Sequence, residues 1–154
     1  MALPFVDRSS SALPVQVVSP SGWRRWLKEQ GAARRAWLDS TGVKGKAGDL
    51  AVLPGRDGKA AGAVLVVGAK PVLWDYGALA TRLPAGTWRL EGDTAPVSPT
   101  DVAVAIGLGA WRFDRYRTRA KPAAGARLLW PQGADRARAT AIVEAVSLAR
   151  DLIT

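Results

Sequence analysis

The sequence predicts an α/β fold, a three-layer α/β/α domain with a mixed, mostly parallel sheet. Short apolar strand patterns alternate with helical patterns along the chain, as is typical of this class. Residues 63–68, AVLVVG, are apolar at almost every position, which indicates a strand covered by helices on both faces. Asp57 and Gly58 separate two strand patterns and predict an antiparallel hairpin. We therefore expect a sheet of about five or six strands with at least one antiparallel pair.

The chain begins with a polar stretch, residues 1–12, which we interpret as a flexible lead-in. A short strand follows at residues 13–18, and Ser19-Pro20 then opens a helix. That helix places several large apolar side chains on one face, and they favour a core position over a base-stacking platform, because such platforms usually lie on strands or loops. The tryptophans on this face are Trp23, Trp26 and Trp37.

The rest of the chain continues the alternation of strands and helices. We find no internal repeat and no linker that would divide the chain into two domains. The remaining predicted elements are strands at 49–54 and 63–68, a helix at 71–83, a strand at 87–90, a helix from Ser98, a strand at 126–130 and a helix from Asp135 onward.

The helix from Ser98 organises the second half of the chain. Ser98 can cap it, Pro99 suits its first position, and Asp101 stands where a capping box places an acidic residue. Gly107 and Gly109 each cost about 1 kcal/mol in a helix interior relative to alanine. Two such residues in one helix predict that its backbone approaches a neighbouring element closely.

Residues 111–117, WRFDRYR, interleave aromatic and charged side chains. One interpretation is a core helix with a solvated basic face, on which Asp114 forms a local ion pair. The other is a contact surface for nucleic acid or a second subunit, for which the candidates are Arg112, Arg115 and Arg117.

Composition narrows the chemistry available to the chain. It has 154 residues, 48% of them hydrophobic, which suits one folded domain with a core. There is no cysteine and no histidine, so thiolate chemistry, the commonest general base and the commonest metal ligand are all missing. The carboxylates show no cluster at metal-ligand spacing. We assign no catalytic, cofactor-binding or metal-binding residue and expect a non-catalytic domain.

Two glycine-rich turns bear on ligand binding, and the first of them is only a weak match to a phosphate loop. The sequence lacks a GxxxxGK[ST] loop, and residues 42–46, GVKGK, precede a strand instead of linking a strand to a helix. Residues 68–70, GAK, end a buried strand, where open α/β sheets place ligands. They are interpreted either as a plain turn or as part of a small-molecule site.

The net charge of +9 permits an anionic partner such as DNA, although the basic residues form no long run. No stretch of about 18 apolar residues predicts a membrane span. The first residues lack the basic start and apolar core of a secretory signal. We expect a cytoplasmic protein without membrane contact.

Several segments in their order resemble the N-terminal domain of the leucyl aminopeptidase family, the dinuclear-metal cytosol aminopeptidases. The resemblance covers about residues 14–154. It departs from the family at Trp88 and Trp111, where tyrosine is frequent, and at Thr154, where asparagine is usual. The segments that carry the resemblance are GAVLVVG at 62–68, LPAGTWRL at 83–90, GLGAWRFDRYR at 107–117 and ARDLI at 149–153.

This resemblance implies a fold similar to macro domains, with residues 13–154 forming one N-terminal domain. The last helix would lead past Thr154 into a catalytic domain that holds two divalent ions, zinc or manganese, and removes N-terminal residues from peptides. In the family the domain helps to build a hexamer, and in some bacterial members it contributes to DNA binding. The family's catalytic signature does not occur here, so no catalytic position is carried over. The alternative is a stand-alone macro-like module that binds a nucleotide or ADP-ribose near Gly68, or nucleic acid.

Overall fold

The computed structural model describes residues 3–110 and 125–153. Its elements in chain order are β1 (Phe5–Val6), β2 (Leu13–Val18), α1 (Trp23–Lys28), α2 (Ala32–Ser40), β3 (Leu50–Pro54), β4 (Ala60–Val66), a 3₁₀ helix (Leu73–Tyr76), α3 (Leu79–Arg82), β5 (Gly86–Glu91), α4 (Pro99–Gly109), β6 (Ala126–Leu129) and α5 (Arg136–Ile153).

The strands of the described residues form one six-stranded sheet in the order β1-β6-β5-β2-β4-β3. Every neighbouring pair is parallel except β3 with β4, which are antiparallel. The turn between these two strands contains Gly58 at φ +78°, a conformation that suits glycine. The mixed, mostly parallel sheet and the hairpin predicted at Asp57-Gly58 are therefore confirmed.

Helices cover both faces of β4, as its apolar sequence predicted. Ala63 and Leu65 pack into a core with α3 and α4. Val64 and Val66 pack on the opposite face with Trp23 of α1 and other side chains of α1 and α2. This alternation along one strand produces the three layers of the domain.

The single helix predicted after β2 is two helices, α1 and α2. Gly31 lies between them in an extended conformation, with ψ 162°, and interrupts the helical register. Trp23 and Trp26 are buried and stack with ring centroids 5.0 Å apart. Trp37 is 43% exposed and lies beside the edge strand, where its Nε1 donates to the carbonyl oxygen of Val52 at 2.9 Å. The core interpretation holds for the first two tryptophans and was wrong for the third.

The polar stretch at the N-terminus contains a strand that the sequence did not predict. Phe5 and Val6 pair in parallel with Leu128 and Leu129 of β6. The Phe5 ring also stacks on Trp130, with centroids 4.3 Å apart. A two-residue strand is too short to show the alternation of apolar and polar residues by which strands are predicted, so the sequence did not predict this edge strand.

The helix predicted over 71–83 is replaced by the 3₁₀ helix and the four-residue α3. Between them Gly77 lies against α4, and a Cβ built on Gly109 would be 1.6 Å from the Gly77 carbonyl oxygen. A Cβ on Gly107 would be 2.7 Å from a methyl carbon of Val143 on α5. The predicted close approach of this helix is therefore confirmed, and it involves two different neighbours.

The predicted N-terminus of α4 is also confirmed. The Ser98 hydroxyl accepts a hydrogen bond from the Asp101 backbone nitrogen at 3.1 Å, and Pro99 is the first helical residue. Every residue from 102 to 108 is buried, because one side of α4 packs on the sheet and another on α5. This burial makes α4 the central helix of the domain.

Candidate interdomain surface

Helix α5 packs on α4 through a narrow stripe. Its buried residues are Ala139, Val143 and Ser147, which follow one another at intervals of four. Other apolar residues of α5 lie outside the core, since Ala149 is exposed and Ile153 is 85% exposed. Much of the apolar surface of α5 is therefore available for contact with another body.

A second line of apolar side chains runs along the exposed side of α5. Ala141, Ala145, Leu148 and Leu152 recur at helical spacing, and all are exposed. Leu148 is 61% exposed and Leu152 is 75% exposed. We name these four residues the α5 outer stripe. Contiguous exposed apolar residues are typical of an interaction surface.

A small groove adjoins the α5 outer stripe. Its volume is about 200 Å³. The Ser147 hydroxyl is buried and forms no hydrogen bond with any part of the chain that the structure describes. The groove, here named the Ser147 groove, is lined by Leu3, Val143, Glu144, Ser147, Leu148 and Asp151.

Arg150 and Asp151, which belong to the ARDLI segment of the family resemblance, lie at this surface. The Arg150 guanidinium donates to the carbonyl oxygen of Leu108 at 3.2 Å, in the last turn of α4. A cation there interacts favourably with the carbonyl end of the helix. Asp151 lines the Ser147 groove. Arg150 thus ties α5 to α4, and Asp151 lies at the edge of the groove.

Another exposed apolar patch surrounds the 3₁₀ helix. Val72 is 51% exposed and Trp74 is 63% exposed. The Asp75 carboxylate holds this turn in place by accepting from the backbone nitrogens of Gly68 at 3.3 Å and Val72 at 2.9 Å. The adjacent Tyr76 is completely buried. A well-anchored turn therefore presents a tryptophan to solvent.

The same hydrogen bonds argue against a phosphate site at Gly68. The backbone N–H group of Gly68 is already paired with a carboxylate, whose charge would repel a phosphate. The turn at 42–46 is similar, because Asp49 accepts from the backbone nitrogens of Lys44 at 3.2 Å and Lys46 at 3.0 Å. Both predicted glycine-rich turns bind a side chain of the protein itself.

A larger cleft, of about 390 Å³, lies at the carboxyl ends of β5 and β6. Its charged groups are already paired within the chain. Arg89 forms an ion pair with Glu91 at 2.8 Å and also donates to the Ala12 carbonyl oxygen. Asp93 accepts from the Ala95 backbone nitrogen at 2.9 Å. We assign no ligand to this cleft.

Tyr76 has the one resolved pKa shift among the described residues. Burial raises the pKa of Tyr76 to about 12, with smaller contributions from the negative charges of Asp75 and Asp93. The phenol therefore stays neutral at physiological pH. It is not poised to act as a general base.

The described residues contain no group of three or more acidic side chains that could hold a metal ion. In the same part of the chain no helix is long and apolar enough to cross a membrane. The candidate contact residues Arg112, Arg115 and Arg117 lie outside the described residues, as does Asp114.

Comparison with known proteins identifies this architecture. A sequence profile described as M17 aminopeptidase, N-terminal domain, matches residues 13–131. The chain belongs to this family. The leucyl aminopeptidase resemblance of its segments is thereby confirmed. M17 aminopeptidases are metal-dependent enzymes, and the part described here corresponds to their N-terminal domain, without a metal site of its own.

Solved structures agree with this assignment. The cytosol aminopeptidase from Coxiella burnetii is 29% identical with a TM-score of 0.83, and the match covers 98% of this chain and 33% of that one. The bottromycin maturation enzyme BotP is 28% identical with a TM-score of 0.54, covering 94% and 33%. Its complex with Mn, at 24% identity, a TM-score of 0.59 and coverage of 94% and 32%, shows the fold alone. No curated protein sequence gives a significant match.

The chain spans about a third of the length of the Coxiella burnetii relative. The α/β fold of that relative's matched part is the fold observed here. The interpretation as a stand-alone nucleotide-binding module is not favoured, because the family match and the occupied turn at Gly68 both argue against it.

Proposed function

We propose that this chain is the non-catalytic N-terminal domain, residues 13–154, of a leucyl aminopeptidase-like metallopeptidase that releases N-terminal amino acids from peptides. Residues 1–12 would precede the domain as a lead-in that contributes β1. The domain serves assembly of the enzyme and access to its active site. The two divalent ions, zinc or manganese, belong to a catalytic domain that follows Thr154. The whole protein would act as a cytoplasmic hexamer.

The exposed apolar face of α5 is the observation that carries this proposal. Leu148 and Leu152 extend their side chains into solvent on the last helix of the domain. Apolar residues in such a continuous arrangement are stabilised when a partner covers them. The Coxiella burnetii relative is about three times as long as its matched part, so it contains enough additional chain to supply a cover.

The patch around Trp74 suits the assembly role. Tryptophan is enriched among the residues that dominate binding energy at protein interfaces. Trp74 is displayed by a turn whose conformation is fixed by Asp75 and by the buried Tyr76, so little order has to be gained on binding. We assign this patch to contact between subunits.

Catalytic assays on the 154-residue chain test the proposal. The purified chain with added Mn²⁺ or Zn²⁺ should not hydrolyse a leucyl anilide substrate above the rate of metal alone. The cytosol aminopeptidase from Coxiella burnetii under the same conditions is the positive control. Metal-dependent turnover by the pure 154-residue chain, at a rate that follows chain concentration, would contradict the proposal.

A further inference from the structure

We infer that the Ser147 groove is the docking site for the catalytic domain, which fills it with one apolar side chain and donates a hydrogen bond to the Ser147 hydroxyl. This inference rests on the proposed function and names the place and chemistry of the interdomain contact. Ser147 is only 5% exposed, yet its hydroxyl has no hydrogen-bond partner within residues 3–110 and 125–153. Buried polar groups are nearly always paired, so this hydroxyl indicates an additional donor from outside the described chain.

The dimensions of the groove indicate what can enter it. A volume of about 200 Å³ is below the range of ordinary small-molecule pockets but accommodates one large side chain. Leu3 and Val143 supply apolar surface, and Leu148 continues that surface into the α5 outer stripe. The partner must therefore present an apolar side chain beside a hydrogen-bond donor.

Charge at the groove selects among partners. Glu144 and Asp151 both line it. A second copy of this domain docked groove to groove would bring the two Glu144 carboxylates, one from each copy, close together, which is unfavourable. A catalytic domain that presents a backbone N–H group, a lysine or an arginine at the rim would complement them. We therefore assign the groove to the catalytic domain and not to a second N-terminal domain.

The gradient of exposure along α5 supports the same partner. Exposure rises from 61% at Leu148 to 75% at Leu152 and 85% at Ile153. The uncovered surface thus widens toward the end of the matched region, and the Coxiella burnetii relative has about two-thirds of its chain outside that region. A domain joined to the end of α5 would be held close to the groove and would bind it at high effective concentration.

Thiol accessibility tests the inference, because the described chain has no cysteine of its own. Glu144→Cys places a thiol at the groove, and Lys59→Cys places a control thiol in the exposed hairpin turn. Both variants are produced in the native organism, and any other thiols are excluded by mapping the labelled peptide. The alkylation rate of each thiol in the native protein is divided by its rate in the same protein unfolded in urea. This ratio should be at least about tenfold lower for Glu144→Cys than for Lys59→Cys. Equal rates would overturn the inference.

The hydroxyl is tested by adding Ser147→Ala to the Glu144→Cys variant. Loss of one hydrogen bond should increase the alkylation rate about fivefold. Ser40→Ala is the matched control, since its hydroxyl bonds to the Trp37 carbonyl oxygen on distant α2 and should leave the rate unchanged. An alkylation rate in Ser147→Ala equal to that in the control would overturn the role of the hydroxyl.

A thiol-to-photoreactive crosslinker on Glu144→Cys identifies what covers the groove. Crosslinked peptides from a peptidase domain support the inference, and peptides from a second copy of this domain or from an unrelated protein overturn it. Leucyl anilide turnover by the same preparation tests the proposed function separately from the docking site. If the preparation hydrolyses the substrate but the thiol is unprotected, only the docking site is overturned. If the preparation does not hydrolyse the substrate and the thiol is unprotected, the proposed function is overturned as well.

Discussion

Tyr76 combines complete burial with a hydroxyl that forms no hydrogen bond among the described residues. Its phenol lies beside the negative charges of Asp75 and Asp93, and these add to the effect of burial on its pKa. The neutral form is therefore strongly preferred in the folded domain, and an ionised phenol would be costly there.

The pH dependence of stability follows from this preference. The pKa of Tyr76 is about 12 in the folded chain and 10.0 in the unfolded chain, so its contribution is intact below pH 10. Between pH 10 and 12 the unfolded state loses the proton first, and the free energy of unfolding should fall. Urea titrations of wild type and Tyr76→Phe across this range check the expectation. The phenylalanine variant should match or exceed wild type at pH 7, by up to about 2 kcal/mol, and decline less steeply above pH 10. Parallel curves for the two proteins would contradict this account.

Some residue-level features follow from local sequence and some do not. The cap at Ser98 was predictable because its partner, Asp101, lies three positions away. The identity of the neighbour of Gly109 was not, because Gly77 is far away in sequence and reaches it only through the tertiary fold. Ser147 gave no sequence signal at all, since its burial without a partner depends on how α5 sits on α4.

At the scale of elements, the position of α4 depends on two glycine contacts of different kinds. Gly109 faces the backbone of the turn that follows the 3₁₀ helix, which has little freedom to move. Gly107 faces the side chain of Val143 on α5, which can shift at a cost. Helices approach this closely only where a side chain is missing.

Alanine at each glycine should separate these contacts. Gly109→Ala places a Cβ 1.6 Å from the Gly77 oxygen and should destabilise the domain by about 3 kcal/mol or more. Gly107→Ala should cost about 1 kcal/mol, because overpacking against Val143 is offset partly by better helix propensity. Gly68→Ala is the control, with its nearest neighbour 3.7 Å away, and should change stability by less than about 1 kcal/mol. Urea unfolding measures all three; a Gly109→Ala protein as stable as the control would show that α4 does not pack on this turn.

Element boundaries were predictable where periodicity was long. The apolar strand β4 and the helices α4 and α5 were located to within a few residues of their predicted positions. The predicted helix after β2 is interrupted at Gly31, which is extended with ψ 162°, and the helix predicted over 71–83 is replaced by the 3₁₀ helix and α3 with Gly77 between them. The break at Gly31 leaves Trp37 at the surface, although helical periodicity had placed it on the core face with Trp23 and Trp26.

At the scale of the whole molecule, the alternation of strands and helices was enough to predict the layers and the mixed sheet. The strand order β1-β6-β5-β2-β4-β3 was not predictable, because parallel pairing is set by crossovers whose direction leaves no local pattern. The candidate interdomain surface was predictable only through the resemblance of its ARDLI segment. The exposure of Leu148 and Leu152 appears only once α5 is packed on α4.

We propose that this domain is the front part of a larger peptidase, and the intact mass of the native protein in its own cells distinguishes this from a domain that stands alone. We expect a mass that exceeds 16.3 kDa by the mass of about 300 residues, because this chain matches only 33% of the Coxiella burnetii relative. A native mass of 16.3 kDa would contradict the claim, because no catalytic domain would then follow Thr154.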